Sequence, residues 1–479
     1  MRFKLSYTDH VYFPVLAFIA ATFPLPIAYN SVGVILLLLV FLADYKNLRN
    51  NLDRYFSDKK NLLLLTIFVC LLVSVLYSED KTMAQKGILT AIPLIVLPLS
   101  LTGISTIAEK KIIILKKLFI LSCFISSIIY MILAVGRSGL VDGSYKKETD
   151  PEHYLTILVG RLTYNPLSPS IHAIFFSMYI ALAILTILFE IKKRSWFSNV
   201  IYSILVFYFL IYLLLLTSAT INFSLYSFII LLYYFQFSFK KWQHYLNFFF
   251  YLATGLAVTI YLLITKYAGA DSIGFYQFDN ADINNKILLV FISLICFGLL
   301  AIFLKLFLKR LHVYILSSLV MLLLLIVFIY RGNKNDPGDS KINNVSARVK
   351  YGAAALHTIK KNPLFGIGIG DKKNEYILKK EELPEGALPQ HAFNSHNQFF
   401  DFWLAAGIIP MICFIIYLFN VGKQAIHQRQ IVYVGLVYCF CLFCFIDAAM
   451  MVQRGQVFFL FFVWLYEHEY KNKSLKVIS

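Results

Sequence analysis

Acidic residues are scarce in this chain. Asp and Glu number 26 against 44 Lys and Arg in 479 residues, and charged residues of both signs make up 15%. Soluble domains carry about a quarter charged residues. With a mean hydropathy of +0.70, a water-soluble multi-domain protein would have to hide every long apolar run as a core helix. Cysteine is sparse too. Cys70, Cys123, Cys296, Cys413, Cys439, Cys441 and Cys444 all fall inside apolar runs, so neither a disulfide framework nor a zinc-ligand spacing is present. The close trio Cys439, Cys441 and Cys444 reads as packing or lipid-facing sulfur. No metal-ligand cluster stands out, so the expected chemistry needs neither metal nor cofactor. Internal repeats and low-complexity tracts are lacking. The N-terminal MRFKLSYTDH precedes an apolar run without a small-residue cleavage site, so the first run is expected to be retained as a helix.

Hydrophobic residues make up 59% of the chain. Apolar runs of about 20 residues recur from end to end, the length a helix needs to cross a bilayer. The expected fold is all-α, a polytopic transmembrane helical bundle of about 12–14 spans with a large outward loop carrying short helices. Fourteen candidate spans are expected near 11–28, 31–45, 61–77, 84–102, 112–135, 168–190, 198–216, 220–238, 246–265, 286–308, 312–330, 397–419, 431–450 and 454–468. The chain then divides into helices 1–11 over residues 1–330, the loop 331–396, and C-terminal helices with a tail over 397–479. Charge sets the orientation. Lys46, Arg49, Arg54, Lys59 and Lys60, then Lys192, Lys193 and Arg194, then Lys240 and Lys241, then Lys309 and Arg310, and finally Lys471, Lys473 and Lys476 share one side if the spans alternate. That side is cytoplasmic by the positive-inside rule, both termini lie inside, and loop 331–396 faces outward. The net charge of +18 thus reports orientation and argues against nucleic acid.

The long loop carries the chemistry. Ser346 is a candidate cap for a helix running to Lys361 and stopping before Asn362-Pro363. Ala353, Leu356 and Ile359 give it a stripe suited to the membrane surface. NPLFGIGIGD, Asn362 to Asp371, has no βαβ unit around it. Its glycines read as a compact turn that lets backbone approach a ligand or the bundle, not as a dinucleotide fingerprint. The segment HAFNSHNQFFDFWLAAG, His391 to Gly407, opens the twelfth span. His396 stands at that helix start beside Asn397, with Asn394 or Ser395 expected as the cap. A helix N-terminus favours anions, and a neutral His there can take a proton from a hydroxyl near pH 7. The plain alternative is an interfacial His bonded to its own loop. Arg348 can fork onto phosphate oxygens or be a solvated surface Arg. Arg161 and His172 flank the entry to the sixth span. Arg454 opens the last span, where an intramembrane or rim charge is a functional candidate; its structural alternative is a pair with Asp447.

Arg348, then NPLFGIGIGD, then NSHNQFFDFWLAAG resembles the O-antigen ligase and Wzy-type polymerase superfamily, bacterial inner-membrane enzymes with a large periplasmic loop late in the chain. His396 is followed by ten residues and then Gly407, a spacing similar to the family's. SPSIHAIFFSMY, Ser168 to Tyr179, looks like a mid-chain helix of that family, and DAAMMVQRGQVFFLFF looks like its last helices. The resemblance covers about 160–465. One departure stands out. Ligases often carry a Ser-Arg pair at the outer end of a mid-chain helix, and this chain has Thr217-Ser218-Ala219-Thr220-Ile221-Asn222 there.

The resemblance implies glycosyl transfer. The donor would be a glycan on undecaprenyl diphosphate, the acceptor a lipid A-core sugar or another glycan, and the setting membrane lipid. His396 and Arg348 would be catalytic, and Arg161, His172, Asn394, Asn397 and Arg454 would touch substrate. A polymerase or a protein O-oligosaccharyltransferase would share the same motifs. A lipid-linked glycan flippase, a different class, usually lacks so large an outward loop.

Overall fold

The structure is a computed structural model that describes residues 7–137, 167–190, 196–216, 218–236, 344–372 and 395–478. Among the described residues every long element is a helix, so the all-α expectation holds. In chain order they are α1 Tyr7–Thr22, α2 Ile27–Ala43, α3 Leu48–Ser57, α4 Lys59–Tyr77, α5 Lys81–Ala91, α6 Pro93–Leu101, α7 Glu109–Arg137, α8 Ala173–Phe189, α9 Trp196–Leu215, α10 Ala219–Gln236, α11 Asn344–Lys361, α12 Gln398–Ala406, α13 Ile408–His427, α14 Ile431–Ile446 and α15 Gln453–Ile478. Local chemistry sets several starts. Asp58 accepts from Lys60 N ahead of α4, Asp80 accepts from Met83 N ahead of α5, and Pro93 opens α6, where its missing N–H costs nothing.

The chain folds as two units. One comprises Met1–Ile128, Ser170–Ser203 and Lys350–Ser479; the other comprises Ile129–Pro169 and Ile204–Val349. The second holds α10 and most of α9, and within it the Tyr212 hydroxyl donates to the Leu167 carbonyl at 2.5 Å. That unit also takes the end of α7 from Ile129 and the start of α11 to Val349. The first unit holds the remaining helices and has an aromatic centre. Phe23 sits with Phe119, Tyr179, Phe458, Phe461 and Phe462, ring centroids 5.5–5.9 Å away. α8 is buried on every face from Ala173 to Ile187, as expected for a helix that is apolar all round and central. α4 and α13 instead leave one flank of Leu, Ile, Val and Phe exposed, the pattern of lipid-facing helices.

Among the described residues, five helical stretches are long and apolar enough to cross a membrane: Lys59–Tyr77, Lys81–Leu101, Glu109–Gly136, Phe197–Leu215 and Ile408–His427. A sixth counts if Ile27–Ala43 and Tyr45–Ser57, bent by 71°, are one span. Three shorter apolar helices, His10–Thr22, Ala173–Phe189 and Ile431–Ile446, accompany them. The spans expected at 246–265, 286–308 and 312–330 lie outside the described residues. Two boundaries are corrected. The turn between the first two helices falls at 23–26, where Pro24 and Pro26 stand, rather than at 27–33. The expected twelfth span, 397–419, is two helices broken at Gly407, and the crossing segment begins at Ile408.

The two ends of the first unit differ in chemistry. At the start of α4, Lys60 meets Glu467 of α15 and donates to Gln424 Oε1 of α13 at 2.8 Å. Lys116 of α7 pairs with Glu190 at 2.6 Å and Glu469 at 2.7 Å. α4 and α13 run antiparallel, so their other ends also come together. There the turn after α11 is docked.

Candidate functional site

α11 ends at Lys361 as the Asn362-Pro363 pair requires, and begins at Asn344, two residues ahead of Ser346. Its buried face corrects the expected membrane-surface stripe. Tyr351, Ala354, Ala355, Thr358 and Ile359 are buried, while Leu356 is exposed. Ala354, Ala355 and Ile359 pack with Leu404 of α12, and Ile367, Phe400 and Trp403 close around them. Two adjacent alanines let α12 lie close; of the expected stripe, Ile359 belongs to this buried face and Leu356 does not.

The glycine run is a turn pressed on α12, as expected. Gly366 and Gly368 have φ of +72° and +104°, left-handed values that favour glycine. A Cβ at Gly366 would stand 2.4 Å from the Leu404 carbonyl oxygen and 2.6 Å from that of Trp403. Ile367 N donates to Leu404 O at 2.8 Å. The Asp371 carboxylate then accepts from Glu79 N at 2.7 Å and Asp80 N at 2.8 Å. This fastens the turn to the start of α5.

Next in sequence, Lys372 reaches Asp401 Oδ2 at 2.7 Å. Asp401 is buried, and its Oδ1 accepts from Ser395 N at 3.0 Å and Ser395 Oγ at 2.6 Å. One carboxylate therefore grips residue 372 on one side and residue 395 on the other. Burial alone would raise its pKa, but Lys372 and the Ser395 bonds outweigh burial and hold it below the usual carboxylate value.

His396 follows directly. Its φ is +49°, a left-handed value uncommon for a side chain with a Cβ, though less so for His and Asn. The ring stacks on Tyr351 of α11, centroids 5.2 Å apart and planes at 29°. Burial raises the Tyr351 hydroxyl pKa, so it stays neutral at pH 7. Nδ1 of His396 lies 3.9 Å from Asp447 Oδ1. That is beyond hydrogen-bond length and within reach of an ion pair once the ring is charged. Asp447 is fixed in turn, its Oδ1 accepting from Ala448 N at 2.8 Å.

The cap of α12 is Asn397, not Asn394 or Ser395. Asn397 Oδ1 accepts from Phe399 N at 2.9 Å and Phe400 N at 3.1 Å, and its Nδ2 donates to Phe445 O at 3.2 Å. The left-handed step at His396 delays the helix by that much, and Ser395 turns to Asp401 instead. Gln398 Oε1 accepts from Met450 N at 2.5 Å, so the start of α12 and the 445–450 connection are tied twice, and Asp447 is brought to His396 by that tie.

The other expected site residues fall as follows. Arg454, at the start of α15, donates to Ser170 O at 2.7 Å. His172 is exposed two residues further on, its carbonyl accepting from Phe175 N to begin α8. Arg348 lies on α11, three residues before Tyr351. Arg161 and Asn394 lie outside the described residues. Tyr351 and Asp401 were missed by sequence reasoning. Asp401 was legible in principle, since a carboxylate inside an apolar helix needs a partner. Tyr351 gave no such signal.

Residues 286–415, which contain both Arg348 and His396, match the family model described as O-antigen ligase. This supports a ligase- or polymerase-type function in general. No curated protein matches the chain.

Proposed function

We propose that the chain, whose residues 286–415 match the O-antigen ligase family model, moves a glycan from undecaprenyl diphosphate to a hydroxyl of a lipid A-core acceptor. The setting is the periplasmic face of the bacterial inner membrane, with both termini cytoplasmic. The observation that carries this reading is the seating of His396 between the Tyr351 ring and the Asp447 carboxylate.

The proposed step is a displacement at the anomeric carbon. His396 takes the proton of the acceptor hydroxyl as its oxygen attacks. The bond from the anomeric carbon to the diphosphate oxygen breaks, and the leaving diphosphate keeps the electron pair. With Nδ1 3.9 Å from Asp447 Oδ1, Nε2 is the nitrogen we assign to the acceptor hydroxyl. Asp447 gains most once the ring carries the proton, so its help is felt in the transition state more than in the ground state. Arg348, one helical turn before Tyr351, is assigned to the departing phosphates, where a forked cation offsets growing negative charge. Arg161, His172 and Arg454 are the next candidates for the diphosphate or glycan. Asn394 and Asn397 are assigned to the same rim, though the Asn397 amide is already engaged in capping. No step as written needs a metal.

The test is transfer in vesicles from lipid-linked polymer to a lipid A-core acceptor. His396→Asn keeps a residue tolerant of the left-handed backbone, so membrane level should hold while the rate falls by about 10²–10⁴. Asp447→Asn should slow transfer less. Full turnover by His396→Asn would end the base assignment. A deletion strain that accumulates lipid-linked polymer without capped lipopolysaccharide supports ligase. Capping by single repeats means polymerase, and donor stranded on the inner leaflet means flippase.

A further inference from the structure

We infer that Leu364 and Phe365, at the tip of the turn after α11, are embedded in the bilayer and contact the acyl chains of its lipids.

The two side chains are 63% and 69% exposed and adjacent in sequence. Single exposed apolar residues are common and need no explanation. This pair differs because its surroundings fix its depth. The Tyr77 hydroxyl, on the last residue of α4, donates to Phe365 O at 2.5 Å. Ile408 N, on the first residue of α13, donates to Leu364 O at 3.3 Å. α4 and α13 are both candidate membrane spans, Lys59–Tyr77 and Ile408–His427. The tip is therefore bonded to the emerging ends of two antiparallel spans and lies at the level where they leave the hydrocarbon.

The flank that continues below it is apolar. Leu76 is 79% exposed, and Leu72, Val73, Ile409 and Ile412 are exposed along α4 and α13. Such a surface on a crossing helix faces lipid, and Leu364 and Phe365 stand at its end, bonded through their carbonyls to Tyr77 and Ile408. The aromatic company fits the boundary. Tyr77 is exposed at the end of its span, and the Trp403 indole donates to Pro363 O at 2.7 Å. Tyr and Trp favour this depth because their rings take the apolar side and their polar atoms the wet side. Backbone carbonyls at such a depth need donors, and those of Pro363, Leu364 and Phe365 each have one. The tip can enter the bilayer edge with its polar atoms satisfied and its side chains free for lipid.

A site held this way stays at headgroup depth, so a donor carried on a lipid could meet it without leaving the membrane. That consequence rests on the proposed function; the location of the tip does not.

The experiment reads location and not turnover. Phe365→Trp and, separately, Leu364→Trp are placed in the full chain in lipid nanodiscs, and the emission of the parent is subtracted. The added emission is challenged with lipids brominated on their acyl chains and with aqueous iodide. Embedding predicts blue-shifted emission, at least twofold quenching by brominated lipid, and little quenching by iodide. Strong iodide quenching with no response to brominated lipid would mean that the tip stands in water and would overturn the inference. Silence toward both quenchers would mean that the tip is covered by protein and would overturn it equally.

Discussion

The Asp401 carboxylate shows how much one residue can hold in this protein. It is buried, yet it stays charged because Lys372 and two Ser395 donors surround it. Its folded pKa lies below the unfolded value. A carboxylate of that kind contributes stability that is present above its unfolded pKa, near 4, and lost as pH falls through the lower folded pKa. The segment carrying His396 should therefore loosen in acid. We expect hydrogen-exchange protection of the Ser395, Phe399 and Phe400 amides to fall below about pH 4, and Asp401→Asn to show the lowered protection already at pH 7. An acid response unchanged by Asp401→Asn would assign the loosening to other carboxylates. Asp401→Asn should also lower the transfer rate without removing the imidazole, because Ser395 would lose its anchor one residue before the base. His396 could be singled out in the sequence by residue type and position. Its carboxylate partner could not, since Asp447 is reached only through the bonds that tie Asn397 to Phe445 and Gln398 to Met450.

At the level of elements, local signals were read well where one residue type dominates. Asn362-Pro363 stops α11 on schedule, and the glycines of 366–370 form the turn their spacing suggests. The cap of α12 was harder, because Asn394, Ser395 and Asn397 are all good caps within four positions and only the backbone step at His396 decides between them. The break at Gly407 was harder still. Hydropathy runs unbroken from Phe399 to Leu418, apart from Asp401, and a glycine inside an apolar run can equally sit in a continuous helix. Here its φ is +86°, and an added Cβ would stand 1.8 Å from the Leu364 carbonyl oxygen. Gly407 thus lets the α12–α13 corner close on the turn after α11. Gly407→Ala must open that corner and strain a left-handed residue, at a cost of about 1–3 kcal/mol. The expected result is a lower melting temperature in detergent. A variant that melts with the parent would mean that the corner has room the geometry denies.

At the scale of the molecule, a buried charge joins helices that a hydropathy reading treats separately. Lys116, inside the fifth expected span at 112–135, was not singled out in the sequence. In the fold it is buried, pairs with Glu190 and Glu469, and lies 4.5 Å from the centroid of the Tyr466 ring. It joins α7 to the end of α8 and to α15, three elements far apart in sequence. Such a contact is invisible to a scan for spans, because it is set by how the helices meet. Two carboxylates around one ammonium are tolerable only while the cation stays, since an unpaired buried charge is costly. Lys116→Met fits the space and keeps the apolar stem, but strands both carboxylates. We expect a loss of about 3–5 kcal/mol, read as reduced level in the membrane and earlier thermal aggregation in detergent. Adding Glu190→Gln and Glu469→Gln to Lys116→Met removes the stranded charges and should recover most of the loss. If the triple variant is no better than Lys116→Met alone, the cation acts through packing on Tyr466 and not through its carboxylate partners. If Lys116→Met itself behaves as the parent, the cluster is wetter than its burial implies, and the joining of α7, α8 and α15 must rest on the aromatic centre around Phe23.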